Sequence, residues 1–189
     1  MELRVSTTQE WLDCVLANFD VFLVDHASCE RKASAVGMSF VVRYPDRTSL
    51  LEPMINFARE ELEHFHQVCR LIFRRGLQLA PDEQDPYVND LMKEVRFGRE
   101  ERFLDRLLVS GVIEARGTEK LALIATSHTD AEMRSFYQRL ARAEYHHQNL
   151  FVGLAQDFFT ESVVKERLNF WLDREEKAFR AAPIRPAVH

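Results

Sequence analysis

No run of apolar residues in this chain approaches the roughly 18 that a membrane-crossing helix needs, so the sequence predicts no membrane span. Its beginning, Met1-Glu2-Leu3-Arg4, lacks the apolar core of a secretory signal, and the expectation is a soluble, cytoplasmic protein. Cysteine is sparse. Cys14, Cys29 and Cys69 are odd in number, widely separated and form no C-x-x-C, which argues against both a disulfide framework and a thiolate metal cluster. Six glycines and six prolines in 189 residues are too few for a turn-rich β fold, and no stretch reads as a strand of any length. A basic excess is also missing. The formal charge of −5 argues against broad electrostatic binding of nucleic acid, so any such partner would need a local basic patch.

What is present is helical. At 46% hydrophobic, the chain can bury one sizeable core, and residues 1–189 are read as a single all-α domain. Thr7-Thr8-Gln9-Glu10 has capping-box spacing before a short first helix. A long helix is predicted from Asp20 to Arg43, ended by Pro45. A second runs from a capping box at Ser49-Leu50-Leu51-Glu52 to Arg75, closed by Gly76. Asp85-Pro86 opens a short helix to about Val95. A third long helix spans Glu100 to Ile124, locally weakened by Gly111 and Gly117. A fourth runs from Thr129-Asp130-Ala131-Glu132 to about Gln156, and a last one from about Thr160 to Ala181.

Two of these helices carry the same chemical signature. Glu61 and His64, and again Glu144 and His147, stand at i, i+3, which aims a carboxylate and an imidazole from one helical face. About thirty residues before each pair lies another glutamate, Glu30 before Glu61 and Glu114 before Glu144. In the first predicted hairpin, Glu30 and Glu61 each sit roughly 18–20 Å from the turn at 1.5 Å per residue, so they face each other. Glu114 and Glu144 are level within about one turn on the same count. Two hairpins, each offering one Glu opposite one Glu-x-x-His, match the ligand set of ferritin-like di-iron or di-manganese carboxylate bundles. The expected fold is a ferritin-like four-helix bundle with extra short N-terminal, crossover and C-terminal helices.

The charge balance supports metal. Two divalent ions bring about +4 against Glu30, Glu61, Glu114 and Glu144, whereas four ionised, unpaired carboxylates in a bundle interior would be costly. Oxygen and imidazole donors without thiolate suit iron or manganese. Glu60 shares a face with His64 at i, i+4, but Ala143 fills the corresponding place in the second half, which favours Glu61. His66 and His146 lie off the ligand face. His26, one turn before Glu30, reads as a neighbour of that ligand or, more readily, as a solvated or core histidine. Thr118, one turn after Glu114, is a candidate proton relay. Phe57, Phe65 and Phe103 read first as core and secondarily as apolar walls excluding water. Arg96, Arg99, Arg102 and Arg106, with Lys93, form a run able to meet phosphates, and read equally as a solvated face balanced by Glu100, Glu101 and Asp105.

The stretches Asp25-His26-Ala27-Ser28-Cys29-Glu30-Arg31-Lys32-Ala33, Arg59-Glu60-Glu61-Leu62-Glu63-His64-Phe65 and Ile113-Glu114-Ala115-Arg116 resemble the tRNA 2-methylthio-N6-isopentenyladenosine hydroxylases, the MiaE family. The resemblance runs in order from about Asp25 to His147. It implies an O2-dependent non-haem di-iron monooxygenase that hydroxylates the isopentenyl side chain of a hypermodified adenosine beside the tRNA anticodon. Glu30, Glu61, His64, Glu114, Glu144 and His147 would then be the ligands. A tRNA substrate on an acidic chain calls for a local patch, for which Arg96, Arg99, Arg102 and Arg106 are the candidates to dock the anticodon arm. Nothing in the chain resembles a flavin, nicotinamide or iron–sulfur site, so electrons would come from a separate ferredoxin or reductase. A monomer or small homo-oligomer is expected. The competing reading from another class is iron or peroxide handling of the ferritin or rubrerythrin type, without an organic substrate.

Overall fold

Helix signals extend along almost the whole chain, and the computed structural model, which describes all of residues 1–189, contains seven helices and no strand. In chain order they are α1 (Gln9–Ala17), α2 (Phe19–Arg43), α3 (Thr48–Arg74), α4 (Pro86–Met92), α5 (Arg99–Ser127), α6 (Ala131–Phe158) and α7 (Glu161–Ala181). The boundaries follow the local chemistry closely, with instructive shifts at three caps.

At α1 the capping hydroxyl belongs to Thr8, which accepts from Trp11 N at 3.3 Å. Thr7 is occupied elsewhere, donating to Glu119 Oε2 at 2.7 Å. The box expected at Ser49 is not used, because α3 starts at Thr48 after Arg47 and has no side-chain cap. At α6 the cap is Asp130, one residue later than a Thr129 box, and it accepts from Glu132 N at 2.7 Å and Met133 N at 3.4 Å. Asp85 caps α4 as its sequence predicts, with Pro86 at the first helical position. At the end of α3, Gly76 takes φ +71° while Leu77 N reaches Ile72 O at 3.0 Å and Gly76 N reaches Phe73 O at 3.0 Å. That 6→1 and 5→2 pairing is a Schellman stop, which a left-handed glycine permits without strain.

By contact the chain divides into two compact units, Asp13–Glu83 with Arg185–Val188, and Met1–Leu12 with Gln84–Ile184 and His189. The first unit is the α2–α3 hairpin. Phe22, Leu23, Ala27 and Phe40 of α2 and Leu50, Met54, Phe57, Val68 and Ile72 of α3 are buried. The two helices come close at Gly37, where a Cβ would meet Phe57 Cδ1 at 2.8 Å and Met54 O at 3.0 Å. The segment after α3 is tied down on α2: Ser28 Oγ donates to Asp82 at 2.7 Å, Arg31 pairs with Asp82, and Lys32 Nζ donates to Glu83 O at 3.0 Å. Near the other end of the chain, Val188 N donates to Asp25 Oδ2 at 2.7 Å.

The second unit is the α5–α6 hairpin with α4 and α7 against it. Gly111 plays the part here that Gly37 plays in the first unit, since its Cβ would lie 3.2 Å from both Gln148 O and Phe151 Cβ. A glycine that reads in sequence as a helix weakness is thus the point of close helix approach. Two buried ion clusters tie the unit together. Asp105, fully buried, accepts from Arg96 N, Nε and Nη2 at 3.0, 2.9 and 2.9 Å and from Arg167 Nε at 2.6 Å. Arg116, also fully buried, donates to Glu175 at 2.8 and 3.0 Å and to Val5 O at 3.0 Å, with its guanidinium 3.9 Å from the Phe179 ring centroid.

Burial alone would raise the Asp105 carboxyl, but the hydrogen bonds from Arg96 and Arg167 outweigh it and hold the group below its ordinary 3.8. A group depressed by folding contributes stability above its unfolded value and loses that contribution as pH falls through the folded one. Asp105→Asn is therefore expected to cost roughly 2–3 kcal/mol in urea unfolding at neutral pH, the scale of lost hydrogen bonds to a charged group. The gap to wild type should stay level above the ordinary carboxylate range and close as pH drops below it. A gap that widened in acid would reverse the sign assigned to this carboxylate.

Candidate metal centre

Each hairpin assembles its own donor set, and the reason is helical phase. On α3, Glu61 and His64 are in register with Leu50, Met54, Phe57, Val68 and Ile72, the buried stripe, so both point inward. On α6, Glu144 and His147 share the buried stripe of Phe136, Leu140, Phe151 and Leu154. The antiparallel partner helix then brings its own glutamate to the same level. In the α2–α3 unit, ligand atoms of Glu30, Glu61 and His64 lie within 4.8 Å of one another. In the α5–α6 unit the same holds for Glu114, Glu144 and His147. Glu30, Glu61, His64, Glu144 and His147 are buried and Glu114 is half-buried.

Within the first set His64 Nδ1 is 3.7 Å from Glu30 Oε2 and 3.8 Å from Glu61 Oε2. His26 Nε2 stands 2.6 Å from Glu30 Oε1, and its ring stacks on Phe22 with centroids 5.6 Å apart. Burial would raise the Glu30 carboxyl, yet the hydrogen bonds of His26 and His64 outweigh burial and hold it well below the usual carboxylate range. No lysine or arginine is among the groups that act most strongly on it. In the second set His147 Nδ1 is 2.9 Å from Glu144 Oε2.

The donor chemistry fits a divalent ion in each set. Two carboxylates and one imidazole carry about −2, and a buried pair of carboxylates without a fixed cation is costly unless a metal completes it. Oxygen-rich donors with a single nitrogen match iron or manganese. His26 stands where an outer partner orients a ligating carboxylate, and loss of such a partner typically costs 10–100-fold in metal affinity. His26→Ala is expected to weaken iron binding in titration by that factor while leaving the helical signal unchanged. Unaltered iron affinity would reduce His26 to a packed core residue.

The remaining sequence candidates fall in varied places. Glu60 is exposed on α3 beside Asn56, Arg59 and Glu63, facing away from the donor set. His66 and His146 are exposed, and neither belongs to a donor cluster. Thr118 donates to its own helix at Glu114 O, 2.8 Å away. Phe57 packs at the Gly37 approach and Phe103 against Phe158, with centroids 5.2 Å apart, whereas Phe65 lines an outward groove with Leu62, Cys69 and Phe73. Of the arginine run, Arg96 is locked onto Asp105, Arg99 is exposed, and Arg102 and Arg106 are half-buried.

Two buried charges escaped the sequence reading, which took Asp105 for a surface counter-charge and passed over Arg116 as an ionic group. The available signal was phase. Asp105 falls in the buried register of Leu108 and Val112, and Arg116 in that of Val109 and Val112.

Comparison with known proteins places these features in a family. The model of the family described as tRNA-(MS[2]IO[6]A)-hydroxylase (MiaE) matches residues 1–189. The tRNA 2-(methylsulfanyl)-N(6)-isopentenyladenosine(37) hydroxylase of Pseudomonas putida is 35% identical over 160 residues, 85% of this chain and 78% of that protein. The protein of the same name from Salmonella typhimurium is 30% identical over 114 residues, 60% of this chain and 42% of that one. Among solved structures, a Synechococcus protein with aldehyde deformylating oxygenase activity matches with a TM-score of 0.93 and 38% identity, covering 97% of this chain and 92% of its own. The all-α, ferritin-like fold class is thereby shown.

Proposed function

The chain belongs to the MiaE family, and from that premise we propose that it hydroxylates the isopentenyl side chain of 2-methylthio-N6-isopentenyladenosine in tRNA, beside the anticodon, at a di-iron centre. The family match over residues 1–189 carries the substrate. The paired donor sets support the chemistry.

In this reading Glu30, Glu61 and His64 of one unit and Glu114, Glu144 and His147 of the other are the ligands of two iron ions, with manganese as the competing occupant. Reduced iron bound there would supply the activation of O2 and the transfer of one oxygen atom to an allylic C–H bond. The chain's own residues would set the conditions for that chemistry. The four carboxylates balance the metal charge and the two imidazoles each add a neutral nitrogen. His26 fixes the orientation of Glu30 through the 2.6 Å contact. The buried faces of the helices keep bulk water from the donor atoms, so the carboxylates meet the ions unsolvated. Thr118 remains a proposed proton relay, its hydroxyl oxygen retaining acceptor capacity after donating to Glu114 O. Electrons would be delivered by an external ferredoxin or reductase, and a tRNA substrate agrees with a cytoplasmic location. No helix is long and apolar enough to cross a membrane.

The direct test is nucleoside mass spectrometry on tRNA from cells with and without the gene. Loss of the hydroxylated isopentenyladenosine, with accumulation of its unhydroxylated precursor, is expected. An unchanged nucleoside profile would reject the tRNA substrate. A second reading, oxygenase action on an aldehyde, is favoured by the 38% identity to the Synechococcus protein with that activity. Incubating the reduced, iron-loaded protein with a long-chain aldehyde and, separately, with unhydroxylated tRNA decides between them by which substrate is consumed.

A further inference from the structure

The outward side of α6 is a cationic face in an acidic protein. Between Glu132 and Asp157 the only carboxylate of this helix is Glu144, which is buried. The exposed side therefore bears Arg139 and Arg142, with Arg134 half-buried beside them, all within about 12 Å at 1.5 Å per residue and with no acid among them. None of the three guanidinium groups is neutralised by a carboxylate. Arg134 donates to the carbonyls of His128 and Thr129 at 2.7 Å each, Arg139 to Ser135 O and Oγ at 3.2 and 2.9 Å, and Arg142 forms no ion pair.

Aromatic surface follows directly on these cations. Tyr145 is 54% exposed and meets the exposed ring of His146 edge to face, with centroids 6.2 Å apart. One turn and two turns further on the same side stand Asn149 and Gly153, and above Gly153 the space is open, so a backbone can approach the helix closely. The arginine run at the start of α5 is a poorer polyanion surface. Arg96 is bound to Asp105, Lys93 Nζ lies 3.3 Å from Asp90, and Glu100 and Glu101 interrupt the stripe.

Building on the tRNA reading, we propose that the outward face of α6 docks the anticodon arm. Arg134, Arg139 and Arg142 contact its phosphates, and Tyr145 offers a ring on which an unpaired loop base stacks. The face favours RNA over a protein partner because it combines a group of cations with one aromatic platform and lacks the apolar centre that a stable protein interface needs. Its position also suits the chemistry. Arg142, Tyr145 and His146 lie within two helical turns of Glu144 and His147, so the docked arm is about one helix diameter, roughly 10 Å, from those donors.

The test uses the full-length, iron-loaded protein and a fluorescently labelled anticodon stem–loop carrying the isopentenylated base, titrated across a salt series. Arg139→Gln with Arg142→Gln is expected to weaken binding tenfold or more at low salt and to reduce the slope of log Kd against log salt by about one to two. Tyr145→Ala is expected to weaken binding about fivefold or more without changing that slope. Arg99→Gln with Arg102→Gln should change affinity less than the α6 pair does. Circular dichroism and iron content, unchanged in each variant, confirm that the fold is intact. If wild type binds and hydroxylates the stem–loop while the α6 variants keep its affinity and slope, the surface assignment is wrong and the tRNA reading stands. If wild type binds no tRNA at any salt, both fall. Variants that bind RNA normally but accept electrons slowly from a reduced ferredoxin would show this face to be a donor dock instead, and a wild-type dimer that the α6 substitutions dissociate would show it to be covered by a second copy.

Discussion

Anaerobic reconstitution with ferrous iron is expected to load about two ions per chain in the wild-type protein and fewer than one in Glu61→Gln with Glu144→Gln, which should hydroxylate no tRNA. Each substitution removes one buried charge from a donor set, and Gln keeps the shape, so the helices have no packing reason to unfold. The thermal signature separates a metal role from a merely structural one. Without metal, carboxylates held at 1% and 4% exposure are costly to keep charged. The metal-free variant should therefore melt at or above metal-free wild type. Added iron at about 100 times its Kd stabilises a binding-competent fold by about 2.7 kcal/mol, a rise that wild type shows and the variant lacks. A variant that melts lower than wild type without metal, and still gains stability from iron, would remove Glu61 and Glu144 from the ligand set.

Arg116→Met is expected to produce the largest loss of stability of any single substitution outside the donor sets. Arg116 and Glu175 are both fully buried, so removing the guanidinium strands a carboxylate away from water and costs about 3–5 kcal/mol. Tyr87 sharpens the effect. Its hydroxyl also donates to Glu175, at 3.2 Å, and burial together with the Glu175 charge pushes its phenol well above its ordinary value. With Arg116 gone, that single neutral donor is left to solvate the charge. For a chain of this size such a loss lowers the melting temperature by roughly 10 °C or more. Adding Glu175→Leu to Arg116→Met should restore much of it, because the double change removes the stranded charge along with its partner. Failure of the double variant to recover would mean that the contacts of Arg116 with Phe179 and Val5 O carry the stability instead of the ion pair.

Legibility followed the range of the interaction. Helix boundaries are set within a few residues of chain, and α2, α3 and α4 begin or end within a residue or two of their sequence signals at Asp20, Arg75 and Asp85. The caps were less secure where two hydroxyls or a hydroxyl and a carboxylate compete. Thr7 was drawn away by Glu119, a residue 112 positions distant, which no local pattern reveals. The donor residues were legible because their spacing is written twice. One E-x-x-H is an accident of a charged helix, but its repetition with a level-matched glutamate before each copy is a tertiary statement made in linear form.

The buried charges were not legible in the same way. Asp105 stands among Glu100, Glu101, Arg102 and Arg106 and looks like surface until α7 supplies Arg167 from 62 residues away. Arg116 follows Glu114 by two residues and so points to another side of α5, where Glu175 awaits it from α7. The arginine run differs in the same way: adjacent along the chain, its members part in space, where Arg96 is bound to Asp105 and Arg99 stays exposed.

By itself the sequence determined the all-helical class, the helix limits to within a few residues and the six candidate donor positions, because capping, periodicity and i, i+3 geometry act within one or two turns of a single helix. Only the tertiary structure decided which glycines admit a neighbouring helix, which charges are neutralised in the interior and which face of α6 stays cationic, because each depends on a partner that arrives from a distant part of the chain.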